Sequence, residues 1–121
     1  MKTVLIIEPD ENLRGILAEW FEVQGFTVIT SSDREEGIRF AQSYAPNLIL
    51  CNDKLSLTSS TEVFYQLRDN LTTSHIPFFF LTCTANSEHS LQALGADGVI
   101  LKGIDITREL RKALTRLETD P

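Results

Sequence analysis

Residues 3–30, TVLIIEPDENLRGILAEWFEVQGFTVIT, decide the fold. Thr3 to Ile7 is an unbroken β-branched and apolar run, the pattern of a strand covered on both faces. Leu13, Ile16, Leu17, Trp20 and Phe21 then recur three and four apart and predict one buried face of a helix. Asp10 is placed to cap that helix, and Gly25 stands just past its end. Phe26 to Thr30 reads as a second strand, so the stretch is a strand, a helix and a strand. A pair of strands joined by a helix this short is parallel, with a right-handed crossover.

The same alternation continues to the end of the chain. Further strands are predicted at Asn47 to Cys51, Ile76 to Leu81 and Val99 to Leu101. Ser32 with Glu35, and Ser59 with Glu62, have the spacing in which serine and glutamate satisfy each other's free backbone donors at a helix start. Asp105 is placed to cap a last helix whose buried stripe is Ile106, Leu110, Ala113, Leu114 and Leu117. Pro77 opens its strand, where a missing N–H does little harm. Five strands alternating with five helices predict a doubly wound, three-layer α/β sandwich, and no linker divides residues 1–121 into more than one domain.

Composition narrows the function. The chain has 121 residues and 42% apolar side chains, enough for one ordinary core without covalent staples. Its two cysteines, Cys51 and Cys83, lie in apolar surroundings and read as reduced core thiols in a reducing compartment. No apolar run approaches the ~20 residues that span a bilayer. The opening lacks the pattern of a signal peptide, so a cytoplasmic chain without membrane contact is expected. With 17 acidic against 11 basic residues the formal charge is −6, which opposes capture by a phosphate backbone, so no nucleic-acid partner is expected.

Chemistry in such a sheet belongs at the carboxyl ends of the strands. Those ends carry Glu8 to Asp10, Asn52 to Lys54, Thr82 to Thr84, and Lys102 with Gly103. No glycine-rich phosphate loop follows the first strand, and Glu8, Asp10 and Glu11 would repel a phosphate there. No serine elbow is present. His75 and His89 read as solvated loop or helix residues. What is left is an acid, an amide, a hydroxyl and an ammonium.

At these residues the chain resembles the receiver domain of bacterial response regulators, through VLIIEPDENLR (4–14), PNLILCNDKL (46–55), IPFFFLT (76–82), LGADGVILK (94–102) and the final amphipathic helix. The resemblance covers essentially the whole chain and implies a flavodoxin-like sheet of order 2-1-3-4-5. It implies two adjacent acids that help hold Mg²⁺, an aspartate phosphorylated by a histidine kinase, a Ser or Thr, and a lysine followed by proline. Glu8 matches the first acid, Thr82 the hydroxyl and Lys102 the lysine. Pro9 stands for the second acid, Asn52 for the phosphoacceptor and Gly103 for the proline.

Those departures leave Glu8 as the one anion among the three matched positions, too little for a hard cation that dehydrates reluctantly. A carboxamide is also a poor nucleophile for a phosphoryl group. The expectation is a pseudo-receiver of a two-component phosphorelay, acting by protein–protein contact, with no metal, no cofactor and no catalytic residue. Lys54, together with Lys102, is expected to pair with Glu8 in place of the ion, against the plainer reading of a solvated lysine. Val99 stands where receivers commonly carry a switch aromatic, and the stretch from Thr82 to Gly95 is about two residues short, which predicts a clipped loop or a short fourth helix. Both changes fall on the surface that receivers use for dimers and partners.

Arg108, Arg111, Lys112 and Arg116 load the last helix with positive charge. That is a solvated face or a steering patch for an acidic protein partner. The partner class is a histidine kinase or another signalling protein, with a homodimer also open. The sequence ends at Pro121, soon after that helix, with no effector in it, and a free-standing protein and a piece of a longer one both stay open. Two other readings stay open. One is a working phosphoacceptor at Asp53, with Glu8 and Asp10 as its acids and Mg²⁺ as its cofactor. The other is a flavodoxin-like enzyme or cofactor binder that uses Thr82, Thr84 and Lys102.

Overall fold

The computed structural model describes residues 2–55, 58–103 and 105–119, and the side chains of these except 58, 59, 85, 86, 88, 89, 118 and 119. The predicted strand–helix–strand unit is present as β1 (Thr3–Ile7), α1 (Glu11–Val23) and β2 (Thr27–Ser31). Asp10 caps α1 as predicted, its Oδ1 accepting from the N–H groups of Asn12 and Leu13. At the other end Gly25 adopts φ +92°, and the N–H groups of Gly25 and Phe26 close back on Glu22 and Phe21. That closure is a Schellman motif. It takes the Phe26 N–H, which is why β2 begins at Thr27 and not at Phe26.

Next come α2 (Arg34–Tyr44), β3 (Leu48–Asn52), a hairpin of β4 (Lys54–Leu55) and β5 (Thr58–Ser59), α3 (Ser60–Arg68), β6 (Phe78–Thr82), α4 (Ala85–Ala93), β7 (Gly98–Leu101) and α5 (Ile106–Thr119). The main sheet is parallel throughout, in the order β2-β1-β3-β6-β7. Counting only those five strands, this is the expected order 2-1-3-4-5, and the fold is flavodoxin-like. The antiparallel hairpin was not foreseen. Among the described residues no helix is long and apolar enough to cross a membrane.

Strand alternation sends side chains to two cores. Leu5, Ile7, Ile49, Cys51, Phe78 and Phe80 pack with α2, α3 and α4. Val4, Ile6, Leu50, Phe79, Leu81 and Ile100 pack with α1 and α5. Gly98 lies opposite Phe79 in register, and a Cβ there would sit 2.5 Å from the Phe79 ring, so a glycine is required for that close approach. Arg68, at the end of α3, bonds the carbonyls of Ser74 and Ile76 and the carboxylate of Asp97, which also accepts from the Phe78 N–H. This latch orders the entry to β6.

Several local expectations are corrected. Asp33, not Ser32, caps α2, its Oδ1 accepting from the Glu36 N–H at 2.8 Å. The Ser59 side chain lies outside the described residues, so its capping box with Glu62 does too, as does the His89 side chain. His75 is exposed, as expected. Pro77 precedes β6 and does not begin it. β2 lies at the edge of the sheet, with Thr27 and Thr30 exposed, in contrast to β1, which is buried from Val4 to Ile7. Cys51 is a core thiol, whereas Cys83 is exposed because it follows β6 at the rim. Ile16 is turned out of the α1 core face and is 59% exposed.

Candidate functional site

The carboxyl ends of β1, β3, β6 and β7 converge on one rim. Glu8 follows β1 and continues its pairing through an N–H bond to the Ser31 carbonyl, which carries its side chain fully under cover. Burying an ionised carboxylate is costly unless every oxygen is engaged. Here each one is. Oε1 accepts from Asn52 Nδ2 at 2.9 Å and lies 3.1 Å from Lys102 Nζ. Oε2 accepts from Asn52 Nδ2 at 2.8 Å and from the Asp10 N–H at 3.0 Å.

Asn52 ends β3 and is 6% exposed. Its Oδ1 accepts from the Lys54 N–H at 2.8 Å, so the amide is oriented from both ends, with NH₂ toward Glu8. Lys102 follows β7 and is held by its own N–H on the Thr82 carbonyl. Lys54 is exposed and, among the described residues, makes no ion pair with Glu8. The expectation that Lys54 pairs with Glu8 is therefore corrected: Lys102 is the cation on that carboxylate, and the plainer reading of Lys54 as a solvated lysine holds. Lys54 is drawn into the β4–β5 hairpin, whose register leaves its side chain in solvent.

Thr82 ends β6 and turns away from this trio. Its hydroxyl donates to Asp53 Oδ2 at 2.9 Å, and Asp53 is itself fixed by its N–H on Leu81 and by Ser60 Oγ on its carbonyl. The predicted residues thus divide into two adjacent groups, Glu8 with Asn52 and Lys102, and Asp53 with Thr82. Pro9 and Asp10 are exposed, and Asp10 is occupied as a helix cap. Thr84 caps α4 after a loop of only Cys83 and Thr84. Val99 is half-buried against the core on the α4 side. Among the described residues, no three His, Cys, Asp or Glu side chains stand close enough together to hold a metal ion.

Arg14 was not anticipated. It reaches back from α1 to donate to the Glu8 carbonyl at 2.9 Å and the Pro9 carbonyl at 3.4 Å, pinning the turn that positions Glu8. Its position on the first turns of α1, close in sequence to the acid, is the signal that could have found it.

The Cys51 thiol lies beneath the site. Burial first, then the Glu8 and Asp53 carboxylates, push its pKa far above the ordinary thiol range. Native protein treated with iodoacetamide at pH 8 is expected to gain one adduct, at Cys83, with Cys51 reacting only after denaturation. Two adducts on the native chain would contradict this placement. The folded thiol keeps its proton where the unfolded one loses it. This contribution to stability is therefore intact below the ordinary thiol range and declines as pH rises through it.

Residues 4–115 match the family model of the response regulator receiver domain. The chain belongs to that family. This receiver is 28% identical over 109 residues to the polar-differentiation response regulator DivK of Brucella anthropi, covering 88% of this chain and 89% of DivK. It is 23% identical over 113 residues to the regulator of RpoS of Escherichia coli, covering 92% of this chain but only 33% of that protein. The receiver thus spans about a third of the length of that relative. The chemotaxis response regulator CheY4 of Vibrio cholerae superposes with a TM-score of 0.86 at 22% identity, covering 97% of this chain and 98% of CheY4, a likeness in fold.

Proposed function

We propose that residues 1–121 form a single receiver-like domain of a two-component phosphorelay that works in the cytoplasm by protein–protein contact, without Mg²⁺-dependent aspartate phosphorylation and without enzymatic activity. The observation that carries this reading is the Asn52 amide bonded to both oxygens of the buried Glu8, with Lys102 on the same carboxylate. A receiver's Mg²⁺ needs anionic oxygens free to replace its water. At this rim Glu8 is fully engaged, Pro9 has no carboxylate, and Asn52 turns donors toward the acid. These residues do not fit the ion. Asn52 also has no oxygen nucleophile to offer, since its Oδ1 is neutral and bonded to the Lys54 N–H.

One observation favours a second reading. Asp53 is hydrogen-bonded to Thr82, the hydroxyl that matches the family's phosphate contact. A phosphoacceptor at Asp53 would need Asp10 as its second acid, and Asp10 is exposed and capping α1. Intact-mass measurement after incubation with acetyl phosphate and Mg²⁺ separates the two. The proposal expects no adduct. A phosphoryl adduct lost in Asp53→Asn overturns it in favour of the second reading.

A further inference from the structure

The side chain that α1 fails to bury points to a surface with a use. Ile16 is 59% and Val23 77% exposed, and Trp20 is half-buried between them. At positions i, i+4 and i+7 the three form one seam two turns long, roughly 10 Å. They line a groove of 370 Å³ between α1 and α5, with Arg111 on its far wall. Past Arg111 the groove continues into a second depression walled by Arg108 and Lys112.

Arg108, Arg111 and Lys112 make no ion pair among the described residues, while Arg34, Arg39, Arg68 and Lys102 all do; Arg14 and Lys54 make none either, but Arg14 is engaged by the Glu8 and Pro9 carbonyls and Lys54 stands alone on its hairpin. Three neighbouring cations with no ion pair among the described residues, on a chain of net charge −6, form a local positive patch that fixes the sign of what can dock there. The opposite wall carries Glu19. An apolar floor calls for apolar side chains, and covering the α5 cations is favourable only if the occupant brings carboxylates to that side. A polyanion with no apolar face would leave the floor wet and meet Glu19.

We infer that the α1–α5 groove is a docking site for an amphipathic helix of a partner protein, one that lays an apolar row on Ile16, Trp20 and Val23 and a row of acidic side chains against Arg108, Arg111 and Lys112. A helix fits because the seam has helical spacing and lies between two helices, as in helix-in-groove recognition. The inference deepens the protein-contact reading and rests on it. The partner class is set by charge and by the row of apolar side chains, and the contact lies on α1 and α5, away from the buried Glu8.

Trp20 is the chain's one tryptophan, so the groove carries its own reporter. The native protein is titrated with a tryptophan-free helical peptide bearing leucines at i, i+3, i+4 and i+7 and glutamates along one flank. Trp20 emission is expected to shift saturably and to weaken with salt. Affinity is expected to fall about tenfold or more in Arg111→Glu and in Val23→Asp, both at exposed positions, and for a lysine-flanked peptide on the native protein. No response, an equal response to both peptides, or insensitivity to both substitutions overturns the inference. So does tighter binding of heparin, or a shift driven by protein concentration alone with a dimer in sedimentation. The two readings fail separately: a phosphoryl adduct at Asp53 removes the protein-contact reading whatever the peptide does, and a silent Trp20 removes the groove alone.

Discussion

Lys102→Met is expected to destabilise the fold by about 3 kcal/mol, whereas Lys54→Met should stay within about 0.5 kcal/mol. Removing one partner of a buried pair costs more than the pair is worth, because the other charge stays buried. Glu8 is fully covered and Lys102 is only 17% exposed, so little water is available to compensate. The effect lies at the lower end of the range for buried pairs because Asn52 and the Asp10 N–H still solvate the carboxylate. Urea denaturation of the two variants measures the difference. Equal losses, or a larger loss for Lys54→Met, would contradict the assignment of Lys102 as the cation at this site.

Asn52→Asp should show the opposite dependence on metal. The substitution replaces an NH₂ group that donates at 2.8 and 2.9 Å with an oxygen facing the same carboxylate. Hydrogen bonding becomes repulsion between like charges in a buried space, at a cost of about 2 kcal/mol in chelator. Two carboxylates are also the start of a divalent-ion site, so added Mg²⁺ should restore the variant. At tenfold over its dissociation constant the gain is about 1.4 kcal/mol. Thermal unfolding with EDTA and with MgCl₂ reads this directly. The native chain should melt at the same temperature in both, and a variant equally indifferent to Mg²⁺ would show that Asn52 is not what closes the site to metal.

The fold was legible because its signals are local. The β-branched run from Thr3 to Ile7, the Asp10 cap and Gly25 each report on a few neighbouring residues. The errors arose where a choice between neighbours depends on the rest of the molecule. Ser32 and Asp33 are both good caps, and the choice is made by backbone angles: Asp33 is extended and places its Oδ1 on the Glu36 N–H. Ile16 fits the helical period of the α1 face, but the groove toward α5 leaves it uncovered. The site was legible as a set of strand ends and not as pairs. Lys54 and Lys102 look equivalent by type, yet the β4–β5 hairpin sends one to solvent and the end of β7 delivers the other to Glu8. That Thr82 bonds Asp53 instead of facing Asn52 depends on side-chain orientation across two strands, which carries no pattern in either segment.

The account stands on Glu8 being satisfied from within, by an amide, a backbone N–H and an ammonium. Calorimetric titration of the native protein with MgCl₂ tests this most directly. The expected result is no saturable heat up to about 10 mM, with the same trace for Glu8→Gln. Saturable uptake at millimolar concentration or tighter, abolished by Glu8→Gln, would mean that the carboxylate is free to take a metal and would contradict the account.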